Sequence, residues 1–492
     1  MQSVNQVYQR FLKMKTARQN LEHTWAECYA FALPQRDGLF SGSSSQTDNL
    51  FDGTAPDCVD QLAASIFSEL TPPWQKWFSL NFAENIMEKD KEISENLDVI
   101  SDIVNAHLNQ STFSVEMHQC FLDLVTVGTA CLLFEEARVG EKSAFHFTAI
   151  PLSEIYVSEG YNGRLDTTFR NCRQSLSTLM ERFDVLEKIQ IDKDLNPDDV
   201  MVPIVEAVIP AVNGGYEYIA FVESNMENIF PEDEHFILKR GFFEHSPFIT
   251  FRWLKVPGEV YGRSPVMKAL PDIKTTNKVV ELILKNATIA VTGIWQAEDD
   301  GVLNPANIRL VPGTIIPKAV GSKGLTPLQA GGDFDVSQLI LEDLRSRIRH
   351  ALLNDKLGTI QSAQMTATEV LTRSEEMIRI LGATYGRLQS ELLTPLIERA
   401  LSILKRRGLI ADLYPDGHLL NITYESPVAD LQLKRQANDA VAFMQSLSQM
   451  KIDAFQFLDG LGFAKWLAGK LNIPLALIKE QINQIENNQE TL

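Results

Sequence analysis

The residues of this chain best suited to hold a metal or act as a nucleophile are five cysteines (Cys28, Cys58, Cys120, Cys131, Cys172) and eight histidines (His23, His107, His118, His146, His235, His245, His350, His418). Neither set is spaced for the work. Zinc sites draw on Cys-x-x-Cys pairs or on HExxH, and neither pattern occurs. A GxSxG nucleophile turn is also missing. A phosphate-cradling loop needs GxxxxGK[ST], so that backbone amides surround the phosphate beside a lysine. The nearest approach, GSKGLTP at 321–327, lacks both the spacing and the strand-to-helix setting. Adjacent carboxylates at Glu135-Glu136, Asp299-Asp300 and Glu375-Glu376 are the remaining acid–base candidates. Paired acids on a solvated face are the commoner case. The chain reads as a non-enzyme, with no catalytic residue, metal or cofactor expected.

Binding chemistry is better represented. Arg345, Arg347 and Arg349 with Lys356 make the most basic short segment in the middle of an acidic chain. One reading is a phosphate-facing surface. The other is a solvated helix face paired with Glu342, Asp343 and Asp355. The aromatics Trp74, Trp77 and Phe78 have the shape of a base-stacking platform, although core or subunit-interface packing is the favoured reading.

The whole chain restricts these options. Forty-five Lys and Arg against 64 Asp and Glu leave a net charge of −19. A protein that grips nucleic acid by neutralising phosphates carries the opposite balance, so any DNA contact is expected to be loose or local. Odd-numbered, dispersed cysteines suit a reducing compartment. No apolar stretch near the amino terminus suits a signal peptide, and no run suits a membrane span, so neither export nor a membrane partner is expected. At 492 residues several substructures are expected, since single cores stop growing at about 250–300 residues.

The elements that must position these residues follow from periodicity. Apolar residues at three- and four-residue steps predict helices over 2–31, 54–70, about 93–109 and about 114–126, with extended chain from Trp77. From Gly128 to Phe251 the runs CLLFEE, FHFTAI, VPIVEAVIPAV, YEYIAFVE and FITFRW predict strands, interrupted by a helix near 175–190. Ser264-Pro265 is a helix start, N-cap then proline at the first helical position, and Pro271 is expected to bend or restart that helix. Extended and turn chemistry over 291–335 predicts a small α/β or β insertion before a second helix at 336–353, striped by Leu341, Leu344, Ile348 and Leu352. Thr366 and Glu369 form a capping box that opens a long helix to about Arg407, kinked near Gly382, Gly386 and Pro395. DLYPDGHLLNITYESP reads as turn-rich, and the last sixty residues as mainly helical. The fold class is α+β, helix-dominated at both ends.

Three segments, taken in order, resemble the portal (head-to-tail connector) proteins of T7-like short-tailed bacteriophages. The first is the opening helix with Trp25 and Leu33-Pro34, followed by FDGTAPDCVDQLAASIFSELTPPWQKWFSL at 51–80. The second is VYGRSPVMKALPDIKTTNKVVEL at 260–282 with IRLVPGTI at 308–315. The third is MTATEVLTRSEEMIRILGATYGRLQSELLTPLIERALSILKRRGLI at 365–410. The resemblance spans roughly 5–430 and implies a portal-type fold. In that fold 1–263 is an α/β wing, 264–290 and 336–353 are the helical stem, 291–335 is a small clip, and 354–366 is a tunnel loop. A long kinked helix and return to the wing occupy 367–430, with a helical crown at 431–492. It also implies a ring of about twelve copies at one capsid vertex. Through that ring double-stranded DNA would be packaged and ejected without sequence preference. The implied partners are the major capsid and scaffolding proteins, the terminase large subunit, tail adaptor or tube proteins and internal core proteins. The setting is the virion, with host cytoplasm during assembly. On this reading Arg345, Arg347, Arg349 and Lys356 include the few DNA-proximal cations of an otherwise acidic channel. A ring-forming tail adaptor without motor contact is the competing assignment.

Overall fold

The computed structural model describes residues 3–36, 50–73, 75–82, 91–183, 196–223, 236–292, 294–297, 320, 325–328, 334–354, 382, 384–410, 420–424, 437, 440–444 and 460–470. Helix α1 (Val4–Ala32) starts at a capping box, in which the Ser3 hydroxyl accepts from the Gln6 amide while the Gln6 side chain accepts from the Ser3 amide. It spans two cores. Val7 and Phe11 are buried in one, and Trp25, Cys28 and Tyr29 in the other. Helices α2 (Thr54–Leu70), α3 (Lys91–Gln110) and α4 (Phe113–Val127) lie within two residues of their expected limits. Every residue of α4 from Cys120 to Val127 is buried, which makes it the central element of the larger core.

Trp77 and Phe78 are core residues, with ring centroids 4.9 Å apart and Trp77 stacked on Phe113. Trp74 lies outside the described residues. Phe78 begins β1 (Phe78–Phe82).

Among the described residues nine strands, β1 to β9, come before the mid-chain helices. Strands β2 (Thr129–Glu136), β3 (Phe145–Ile150) and β9 (Phe248–Arg252) form an antiparallel sheet in the order β3-β2-β9. Strands β4 (Ile155–Glu159), β5 (Leu165–Ser175), β6 (Met201–Pro210), β7 (Tyr216–Val222) and β8 (Ile237–Phe243) form a five-stranded meander, with short helix α5 (Leu176–Phe183) between β5 and β6. The near-continuous apolar run of β6 has a physical cause: both faces of this sheet are covered. Val202, Ile204 and Val208 join the larger core, while Val205, Ala207 and Ile209 meet Val7 and Phe11 of α1. Fully burying each such side chain contributes about 1.5–3 kcal/mol, so α1 clamps the sheet largely through Val7 and Phe11.

Helix α6 (Pro265–Thr292) continues through Pro271 without a restart. The proline amide missing there would have met Met267 near the helix start, so a single hydrogen bond is lost. Helix α7 (Phe334–Ala351) follows, and between the two lies an antiparallel pair, β10 (Ile294–Ala297) with β11 (Leu325–Leu328). The expected long helix contains a widened π turn at Gln389–Leu393 before α8 (Thr394–Arg406). Pro395 explains it, since a proline ring cannot accommodate an α-type carbonyl four residues back. The capping-box residues Thr366 and Glu369 lie outside the described residues.

The stretch read as turn-rich contains instead β12 (Leu420–Tyr424), antiparallel to β1. Its local pattern is mixed with Pro, Gly and Asn, and its partner strand lies near the start of the chain. Near the carboxy terminus the described helix is α9 (Gly460–Lys470).

Candidate functional site

The α6/α7 hairpin is built outward from its root. The Ser264 hydroxyl accepts from the Met267 amide at 2.9 Å and donates to the Thr126 carbonyl at 2.8 Å, so the cap of α6 is also a bond to the end of α4. Two backbones cross immediately beside it. Gly128 ends α4 at φ +79°, and a Cβ on Gly262 would sit 2.0 Å from the Gly128 carbonyl oxygen. Only glycine permits that approach. The Thr129 hydroxyl accepts from the Gly262 amide at 2.8 Å, and Tyr261 lies edge-on to Trp25 with centroids 5.0 Å apart.

The second anchor is the dipeptide before α2. The Asn277 side-chain oxygen on α6 accepts from the Phe51 amide at 2.6 Å and the Asp52 amide at 3.2 Å. Asp52, almost fully buried, accepts from the Thr54 amide at 3.0 Å and from Arg345 of α7 at 2.9 and 2.6 Å. Burial alone would raise the Asp52 pKa, but the hydrogen bonds from Thr54 and Arg345 outweigh it and hold the carboxyl below the ordinary range. Both mid-chain helices therefore grip one point. Arg347 reaches Asp272 of α6 at 3.0 Å, which joins the carboxy-terminal part of α7 to the amino-terminal part of α6 and makes the pair antiparallel.

The basic segment thus divides. Arg345 is a strut to Asp52, and Arg347 is a half-exposed bridge to α6. Arg349 is exposed in the last turn of α7, with no ion pair to a described carboxylate. The acids that Arg345 and Arg347 pair with lie on other elements, not at Glu342 or Asp343 of the same helix. Lys356 and Asp355 lie outside the described residues, as do Asp299-Asp300 and Glu375-Glu376. Glu135 and Glu136 are held by arginines, the first by Arg182 and the second by Arg406 and Arg407.

A third tie lay outside the sequence reading altogether. Arg252 at the end of β9 is fully buried. It donates to Glu391 in the π turn, to Glu159 at the end of β4, and to the carbonyls of Val260 at 2.9 Å and Gly163 at 3.2 Å. The π turn aims Glu391 back at the sheet, and Leu388, Leu392 and Leu393 are buried around it. Alternating polar and apolar residues in FITFRW signal a strand, but not the acid that its arginine will meet.

These anchors coincide with the segments on which the resemblance rests. D-x-T-A supplies Asp52 and Thr54, Y-G-R-S-P supplies the crossing and the cap, and R-L-Q-x-E-L-L supplies Glu391. Residues 4–478 match the bacteriophage head to tail connecting protein family. The chain belongs to that family. This connector is 24% identical to the "Portal protein" of Salmonella phage epsilon15 across 91% of its own length and 84% of the relative's. It is 22% identical to the "Probable portal protein" of Bordetella phage BPP-1, across 96% and 90%. The "Portal protein" of Escherichia phage T7 is 20% identical across 83% and 75%. A chain from the neck of an empty gene transfer agent particle covers 87% of this one and 93% of its own length, with a TM-score of 0.39 and 11% identity, too slight to transfer detail. The connector is a structural component of the virion, of the T7-like portal type, and not an enzyme. None of its described helices is long and apolar enough to cross a membrane.

Proposed function

We propose that this connector closes into a ring of about twelve copies at one capsid vertex, in which α6 and α7 form the stem around a DNA channel. The β10/β11 pair and the rest of 291–335 form the clip, which docks the terminase large subunit during packaging and then the tail proteins. Residues 1–263 and 367–430 form the wing towards the capsid and scaffolding proteins, 354–366 the tunnel loop, and 431–492 the crown towards internal core proteins.

One observation carries the ring. Within a single chain Leu282 and Leu284 on α6 are 51% and 50% exposed, and Leu339 and Ile340 on α7 are 74% and 51% exposed. Antiparallel pairing of Asp272 with Arg347 puts these four at a similar height, towards the β10/β11 end. Residues two apart on a helix point to opposite sides, so Leu282 and Leu284 present apolar surface in two directions. A hairpin that is apolar on more than one side is one packed between neighbours, and each subunit of a closed ring has two.

The acidic balance suits a channel through which DNA slides, because many cations would hold phosphates with salt-sensitive strength. Arg347, Arg349 and Lys356 are the proposed DNA-proximal cations, and Arg345 contributes by fixing α7 against Asp52. Neutral substitutions at Arg347, Arg349 and Lys356 together are expected to lower DNA retention in filled heads while rings still assemble. Unchanged packaging and retention would remove the assignment.

A further inference from the structure

A cavity of about 330 Å³ opens between α8, strand β2 and the edge strand β8. Its walls are part apolar, from Phe183, Phe243 and Phe248, and part cationic, from Arg182, Arg399 and Lys239. Arg399 is the unusual member. It is 4% exposed, and among the described residues no carboxylate pairs with it. Its guanidinium donates to two carbonyls, Phe134 and His245, at 2.7 Å each, and lies 5.1 Å from the Phe243 ring centroid. Five N–H groups are available to a guanidinium and these bonds use two. Burial and the neighbouring Arg406 draw its pKa down to about 10, so it stays cationic at neutral pH.

The acids around the cavity are paired with arginines, although Glu206 Oε2, 3.5 Å from Arg170, has no hydrogen-bond partner. Glu206 takes the Tyr218 hydroxyl and Arg182 at 2.8 Å each, Glu135 takes Arg182, and Glu136 takes Arg406 and Arg407. One buried nitrogen of Arg182, Nη1, has no hydrogen-bond partner. A buried cation with spare donors, a second arginine with an orphaned N–H and an aromatic wall beside open volume describe a ligand of one kind.

We propose that this cavity binds a monocarboxylate carried on an apolar body, with the carboxylate on Arg399 and the body against Phe183, Phe243 and Phe248. A peptide carboxy terminus ending in an apolar residue has that chemistry, as does a free aromatic acid. A dianionic phosphate does not suit it, because Glu135, Glu136 and Glu206 line the same cavity. The volume is at the lower end of small-molecule sites, about 300–1,000 Å³.

The test is calorimetric titration of the full-length protein with 3-phenylpropionate, its uncharged amide and inorganic phosphate, followed by a short peptide ending in Phe with a free or an amidated terminus. Saturable binding of the acid is expected, weakened about tenfold or more in the amide, as loss of a charge-assisted bidentate contact predicts. Arg399→Gln should weaken it as much. Because that variant removes two internal hydrogen bonds and risks misfolding, the acid-against-amide comparison on the native protein stands as a test without it. Tighter binding of the free-terminus peptide than of the small acid would assign the site to a protein partner, and the reverse to a metabolite. No saturable binding of the acid, equal binding of acid and amide, or phosphate binding as tight as the acid would each overturn the proposal.

Discussion

Arg252, fully buried, and Glu391, largely buried, are tied by several hydrogen bonds, and removing one member of such a pair leaves the other charged and under-satisfied. Breaking a buried pair costs about 3–5 kcal/mol, and here Glu159 retains part of the compensation, so Glu391→Gln is expected to cost roughly 2–3 kcal/mol. A urea titration reads this as a lower midpoint, and an unchanged midpoint would remove Arg252 from the ties that hold the π turn to the sheet. Asp52 gives a second, pH-dependent expectation. Its carboxyl is held below its ordinary value of 3.8, so its pairing with Arg345 and Thr54 stabilises the fold above that value and the benefit is lost as pH falls through the lower, folded value. Asp52→Asn should therefore lower stability at pH 7 by about 1–3 kcal/mol and by progressively less as the pH is brought below 4. Equal differences at pH 7 and pH 3 would contradict the ion-pair account.

At the scale of elements, the crossing of the α4–β2 turn with the segment leading into α6 is the most restrictive feature. Gly262→Ala would drive a methyl into the Gly128 carbonyl, and the backbone has to move for it to fit. A loss of about 3 kcal/mol or more, or failure to accumulate as soluble protein, is expected. Ser264→Ala should cost about 1–2 kcal/mol through the lost cap. If Gly262→Ala unfolded at the native midpoint, the close crossing would be wrong. Helix boundaries such as 54–70 were legible because apolar spacing acts within one segment. The cap at Ser264 was equally local. What escaped the sequence was non-local: β12 pairs with a strand near the other end of the chain, and Asp52 meets an arginine from α7. The basic segment at 345–349 was visible as charge, but a charge pattern along one helix does not state which acids on other helices it will meet. The continuation of α6 past Pro271 shows the converse, where a local restart signal yielded to the remaining hydrogen bonds of a long helix.

In the proposed ring, the α6/α7 hairpin of each molecule is unfinished until neighbours cover it. Leu282→Glu with Leu339→Glu should leave a protomer of native helix content that sediments as a monomer, since both positions are exposed within the chain and only the contact between copies is altered. Rings formed as readily by this variant would move the subunit interface elsewhere. The most direct measurement is electron microscopy of the purified protein, with end-on views classified by rotational symmetry. Closed rings of about twelve subunits with a flared wing, a narrower stem and a central channel wide enough for duplex DNA are expected. Particles that remain monomeric even with capsid and scaffolding protein present, or rings of about six subunits without a channel, would contradict this expectation and favour the tail adaptor.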